Sequence, residues 1–175
     1  NKATYSDDIL NNPQRVISIL QERMEDTDFK ECMYPDKAEC KFPIKNAHTL
    51  QNNGILSIIA EDGHVMMTDV LNVVRSGSTM KRVSKNKATT FYGFCEYHDS
   101  YLFKDIELRA YKREEKQHFL YAYRIIAQEY HKKKRSLVAL QKCVKDNPSI
   151  LQSPDLVEIY RRNELSLSDV KECLD

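Results

Sequence analysis

Apolar residues recur along this chain with a period that changes from region to region. Between Pro13 and about Met24, the residues Val16, Ile17, Ile19, Leu20 and Met24 fall at helical spacing. Asn12 suits the cap of that run and Pro13 its first helical position. The acidic stretch Glu25-Asp26-Thr27-Asp28 follows, and acidic residues at a helix C-terminus oppose the dipole, so a stop is expected there. From Phe29 to Ile44 the helical period is lost. Pro35 and Pro43, with Asp36-Lys37 between them, predict a turn carried by a short hairpin. Asn52-Asn53-Gly54 marks a further turn, and Ile55 to Glu61 reads as a short buried helix closed by Asp62-Gly63. His64 to Val74 alternates imperfectly and predicts a strand or a pair of strands. Val70, Leu71, Val73 and Val74 also fit a helical period.

Thr89 to Phe94 is β-prone. His98-Asp99 is expected to open the next helix, with Asp99 or Ser100 as its cap and Tyr101, Leu102, Phe103 and Ile106 as its apolar residues. Beyond Arg113 no Gly or Pro interrupts the chain before Asn147-Pro148, which predicts a helix of about thirty residues. Its apolar stripe is read as Phe119, Ala122, Ile126 and Tyr130. Pro154-Asp155 and Ser166-Leu167-Ser168 mark two more short helical segments. The order of elements predicts an α+β fold in three parts: an N-terminal helix in residues 1–28, a core in 29–112 and a helical region in 113–175.

Composition narrows the function classes. The chain has 175 residues, 41% apolar, enough for a packed core. With 27 basic and 26 acidic residues the net charge is +1, so nucleic-acid binding would need a local patch rather than an overall basic domain. Arg75, Lys81, Arg82, Lys85 and Lys87 form such a patch, with no acidic residue from 75 to 87. It reads first as a solvated loop or hairpin edge, the commoner meaning of a charge run, and second as an arm contacting phosphates. The apolar runs fall far short of the ~20 residues of a membrane span, so no membrane association is expected. The chain opens Asn-Lys-Ala-Thr-Tyr-Ser, without a secretory signal and without Met, which suggests a processed protein or part of a longer one. Five cysteines, an odd number, argue against a complete disulfide framework and for a reducing, cytoplasmic location. Cys143 and Cys173, in helical runs, are expected to be packing residues.

The other three cysteines and one histidine form two half-sites, Cys32-x7-Cys40 and Cys95-x2-His98. Two locally assembled pairs joined by the fold are what a tetrahedral zinc site requires, so these four are the candidate metal ligands. Two further histidines have ordinary alternatives. His48 can be a zinc ligand or a turn residue, and His64, after Asp62-Gly63, is expected to be a hydrogen-bonded turn histidine. A cysteine nucleophile at Cys95 would need an orienting partner that the sequence does not show.

A cysteine pair, a histidine shortly after it, and a Cys-x2-His pair opening a helix resemble a treble-clef zinc domain. More narrowly, Cys32 to about Glu107 resembles the zinc-containing HNH endonucleases. That resemblance implies two metal-ligand pairs bracketing a ββα-metal core. It maps the family's general base onto His48 and one of its metal-binding positions onto Asp99. Where the family carries Asp, His or Glu before the catalytic histidine, this chain has Ala47, and the family's later helical histidine has no counterpart. The implied activity is phosphodiester hydrolysis with Mg²⁺ or Mn²⁺ as catalytic ion and zinc as structural ion. Asp105 or Asn46 are the other residues able to serve a hard cation. The alternative is a non-catalytic zinc module whose helical region binds another protein.

Overall fold

The structure is a computed structural model that describes residues 12, 18–19, 22–27, 29–41, 43–68, 77–146, 148, 151 and 154–174. Its architecture is α+β: helices together with two small antiparallel sheets. Strand β1 (Ile44–His48) pairs with β4 (Thr90–Cys95), and β2 (His64–Thr68) pairs with β3 (Met80–Ser84). The second pair is inserted between the two strands of the first. The helices are α1 (Ser57–Ile59), α2 (Glu96–Leu102), α3 (Lys104–Glu107), α4 (Glu115–Asp146) and α5 (Pro154–Glu172). The chain divides into two compact units, Lys30–His131, and Asn1–Phe29 with Lys132–Asp175.

The first unit is built around β4. Along the β1–β4 ladder, Lys45 faces Phe94 and Ala47 faces Phe91, so two steps on β1 match three on β4. This bulge shifts the strand's alternation by one residue. As a result Phe91 and Phe94, three apart, both reach the core, at 3% and 0% exposure. Their rings meet edge to face at 6.1 Å, and Phe94 meets Phe103 at 5.0 Å. The Tyr92 and Gly93 carbonyls at the bulge accept hydrogen bonds from the Glu31 and Met33 amides, at 3.2 and 2.8 Å. That pairing carries Cys32 to the strand. A second, smaller core of Leu56, Val65 and Ala88 lies under the β2–β3 pair, with Leu50, Met67 and Val83 against it.

Helix α4 forms as one 32-residue element, as its uninterrupted sequence predicts, but it buries a different face. Leu120, Arg124, Ala127, Gln128 and His131 are buried, while Phe119 is 64% exposed and stacks on Tyr123. The polar members of that face have fixed partners. Gln117 Nε2 donates to the carbonyls of Asp105 (3.2 Å) and Ala110 (3.0 Å), while its Oε1 accepts from the Lys112 amide at 2.7 Å. Gln128 Nε2 donates to the Thr89 carbonyl at 2.9 Å. A buried polar group satisfied by specific acceptors costs little, and these acceptors set the rotation of the helix.

Other expectations need correction. Residues 29–41 and 43 hold no strand. Cys32 and Cys40 are joined through a 3-10 turn, Lys37–Glu39, capped by the Asp36 carboxylate on the Ala38 amide. Helix α2 begins at Glu96 with Cys95 as its cap residue, so neither Asp99 nor Ser100 caps it. The segment after Asn52 is a π turn, Asn52–Leu56, running into α1. Only Leu56 is buried there; Ile58 and Ile59 are 83% and 60% exposed because the short helix has one covered side. His64–Thr68 is a strand, and residues 69–76, including Val70 to Val74, lie outside the described residues.

In the second unit, residues 18–19 and 22–25 are helical, while the expected helix start at 13–17 lies outside the described residues. Helix α5 is one element rather than two, and Ser166 to Ser168 sit inside it. Its pairing with the end of α4 is antiparallel: Ser136 bonds Asn163 at 3.1 Å and Gln141 bonds Tyr160 at 3.4 Å. Ser166, on α5, is engaged by Lys133 of α4. Cys143 is buried, whereas Cys173 is exposed and is not a packing residue. No helix among the described residues is long and apolar enough to cross a membrane.

A Cβ placed on Gly93 would run into the buried Phe91 ring. Gly93→Ala is therefore expected to destabilise the fold by about 1–3 kcal/mol in urea unfolding. An unchanged midpoint would contradict the role given to the bulge.

Candidate metal centre and adjoining cleft

The two half-sites converge. Cys32 arrives on the segment paired to β4, Cys40 follows the 3-10 turn with its amide bonded to the Lys37 carbonyl at 3.1 Å, and Cys95 ends β4. His98 sits in the first turn of α2 and is fully buried. Lys37 donates to the Cys32 carbonyl and ties the loop between the cysteines together. From His98 Nδ1 the sulfurs of Cys95, Cys32 and Cys40 lie at 3.2, 3.4 and 3.6 Å. All four ligand atoms are within 4.8 Å of one another.

One ring nitrogen cannot form hydrogen bonds to three sulfurs at once. Around a tetrahedral ion with sulfur at about 2.3 Å and nitrogen at about 2.0 Å, each S–N edge would be about 3.5 Å. The observed separations fit that figure, so the Cys₃His group can hold a metal ion. Burial, then the neighbouring Cys32 and Cys95, push the Cys40 thiol up to about 11. Burial acts upward on Cys95 as well. The backbone amides of His98 and Tyr97, together with the other two sulfurs, outweigh it and hold Cys95 below its ordinary value. Those amides belong to the first turn of α2, where helix N–H groups have no intrahelical partner. With Nδ1 turned to the sulfurs, Nε2 is the outer nitrogen of His98. It is buried without a hydrogen bond, and the Glu39 carboxylate is 3.7 Å away. A carboxylate on that side, drawn into hydrogen-bond distance, would orient a ligating imidazole. Tyr34 stacks on the ring at 3.9 Å and Tyr97 meets its edge at 5.1 Å.

Next to this centre lies a cleft of about 750 Å³. His48, at the end of β1, and Asp99, one residue after His98, both line it, together with Lys45, Asn46, Asn52, Lys104, Glu107 and Arg124. His48 Nδ1 is 3.0 Å from the Ala88 carbonyl oxygen, which can only accept. In the neutral imidazole the proton therefore sits on Nδ1 and the lone pair on Nε2. Arg124 is the buried charge of the cleft. It bonds Asp99 Oδ1 through Nη2 at 3.0 Å and Glu107 through Nη1, and its guanidinium lies 4.5 Å over the Phe103 ring. Burial raises the Asp99 carboxyl above its usual range, with Arg124 opposing that effect.

His64 is the turn histidine expected, its Nδ1 2.7 Å from the Asp62 carbonyl. Asp105 does not line the cleft and is tied to Lys116 and Arg109. In the basic patch, Lys81 and Arg82 lie on β3. Arg82 pairs with Asp62 at 3.6 Å, and Lys85 donates to Ser57 Oγ at 2.8 Å. Lys87 turns back to β3 through its amide, 2.9 Å from the Ser84 carbonyl. Arg75 lies outside the described residues. The turn holding Lys85 and Lys87 is joined to the cleft rim by the Asn52–Asn86 hydrogen bond at 3.0 Å.

Arg124, Glu39 and Tyr34, with Lys45, Lys104 and Glu107 of the cleft, are members of these sites that sequence reasoning does not find. Arg124 has one signal, its place four residues after Leu120 and three before Ala127 in a helix without breaks. Compared with known proteins, the chain matches no family model, and no curated protein or solved structure matches it significantly.

Replacing Arg124 by Met would leave Asp99 and Glu107 beside a buried uncharged side chain. A loss of about 3–5 kcal/mol in unfolding free energy is expected. A variant as stable as the parent would mean that this ion pair does not fasten α4 to the cleft.

Proposed function

We propose that this chain is a zinc-stapled, HNH-like nucleic-acid-binding protein that hydrolyses phosphodiester bonds at the His48 cleft. The observation that carries the reading is the Nδ1–H of His48 committed to the Ala88 carbonyl, in a cleft that also holds Lys45, Lys104 and Arg124. Zinc is the ion favoured by three thiolates and an imidazole in tetrahedral array. Its role is structural, because four protein ligands leave no open position.

In the cleft, His48 Nε2 takes a proton from water as the water oxygen bonds to phosphorus. The bond to the leaving oxygen breaks, and that oxygen is protonated from solvent. The cations of the cleft offset charge on the phosphate. Asp99, with one oxygen engaged by Arg124, leaves the other for a hard cation, and the Asn46 amide is on the same cleft. A Mg²⁺ or Mn²⁺ ion held there would supply further charge stabilisation. Lys81, Arg82, Lys85 and Lys87, with Arg75, are the proposed phosphate contacts outside the cleft. A second reading, a structural zinc module binding a protein through its helical region, is favoured by the exposed Val157, Ile159 and Leu165 of α5.

Elemental analysis is expected to find one zinc per chain. Cys95→Ser should lose the ion and most of the folding cooperativity, because metal binding and folding are coupled. A metal-free native protein would remove the premise. With Mg²⁺ or Mn²⁺, the protein should nick supercoiled DNA or cut RNA, and His48→Ala should lower that rate at least about 100-fold. If neither nucleic acid is cut, or if the variant cuts equally well, the second reading stands instead.

A further inference from the structure

Helix α2 turns two tyrosines away from the core beside the cleft. Tyr97 and Tyr101 are one helical turn apart, and their rings stack with centroids at 5.9 Å and planes 7° from parallel. Tyr97 is anchored from beneath by the edge of His98, and Lys41 lies over its ring at 5.6 Å. Tyr101 is 65% exposed, whereas Phe103, two residues on, is fully buried. The Tyr101 ring thus contributes little to the core. A shallow hollow of about 350 Å³ is bounded by Glu96, Tyr97, Ser100 and Tyr101. Ser100 also lines the His48 cleft, so the two depressions adjoin. Lys45, a cleft residue, pairs with Glu96 at 3.5 Å and places positive charge at their boundary.

We infer that Tyr97 and Tyr101 are a base-stacking platform and that the substrate of the cleft is single-stranded nucleic acid. The inference rests on the reading of the cleft as a nucleic-acid site. A phosphate held near Lys45 and Lys104 leaves the adjoining nucleotide beside Ser100, where its base covers the open side of the Tyr101 ring. Only an unpaired base can do so, because bases in a duplex are already stacked on their neighbours. Stacking on tyrosine is indifferent to base identity, and the flanking Lys41 and Lys45 track the backbone. Lys45 is shared between Glu96 and the phosphate, so the net attraction comes from Lys41 and Lys104, and Glu39 lies against His98.

The test is fluorescence anisotropy of a labelled ten-nucleotide oligothymidylate with the full chain and no added divalent ion. The same backbone with abasic sites and a blunt duplex of equal length are compared with it. Tyr101→Ala should weaken oligothymidylate binding at least about fivefold, and Tyr101→Phe, which keeps the ring, should bind as the parent does. The abasic strand should bind weakly and be indifferent to both substitutions. Unchanged thermal unfolding of Tyr101→Ala would confirm that the exposed ring is not structural. If Tyr101→Ala binds oligothymidylate like the parent, or if duplex and abasic strands bind equally well, the platform is overturned while the cleft reading survives. If none of the three binds, the cleft reading fails and the platform with it. Self-association of the parent that Tyr101→Ala abolishes would assign the rings to a second copy of the chain and overturn the proposal.

Discussion

Three sulfur atoms lie within 3.6 Å of one buried imidazole nitrogen, and the rest of the core unit is arranged to bring them there. One nitrogen cannot satisfy all three sulfurs as a hydrogen-bond partner, and three thiolates would repel one another without a cation. The convergence therefore makes sense as a ligand set. Each ligand is delivered by different local physics. Backbone pairing to the β4 bulge delivers Cys32. A 3-10 turn capped by Asp36 delivers Cys40, and a strand end that becomes a helix start delivers Cys95 and His98.

The same strand-to-helix junction connects the centre to the cleft. Asp99 follows His98 on α2, so whatever fixes the helix start also fixes Asp99. From the other side, Arg124 holds Asp99 and Glu107 together over Phe103. An arginine at 2% exposure is costly unless its charge is compensated, and two carboxylates and an aromatic face do so, although its buried Nε has no hydrogen-bond partner among the described residues. The long helix thus closes the cleft with a polar contact rather than an apolar stripe. The tyrosines of α2 extend the same surface outward, where ring faces rather than charge are on offer.

The candidate metal ligands were legible because cysteine and histidine are rare and their pairing is local. Cys95-x2-His98 needs only one helical turn, and Cys32-x7-Cys40 only a short loop. The α+β class and the uninterrupted α4 followed from period and from the absence of Gly and Pro. The face that α4 buries was not legible. Phe119, Ala122, Ile126 and Tyr130 form the more apolar stripe, but Gln117, Arg124 and Gln128 have acceptors waiting on the loop after α3, on Asp99 and Glu107, and on Thr89. Hydropathy counts such residues as outward-facing, since it cannot see a partner many residues away.

By itself, the sequence determined properties that depend on neighbours within a few residues: the unbroken length of α4, the turn at Asp62-Gly63 and the spacing of each ligand pair. Tertiary structure alone decided the properties that depend on distant partners. It decided that β1 and β4 pair across an inserted sheet, that the β4 bulge turns both Phe91 and Phe94 inward, and that Nδ1 is the His98 nitrogen facing the sulfurs. It also decided that Asp99 meets Arg124 rather than capping its own helix. The physical reason is that a hydrogen bond or an ion pair has a direction and a specific partner. Hydrophobic periodicity records only which way a residue tends to face.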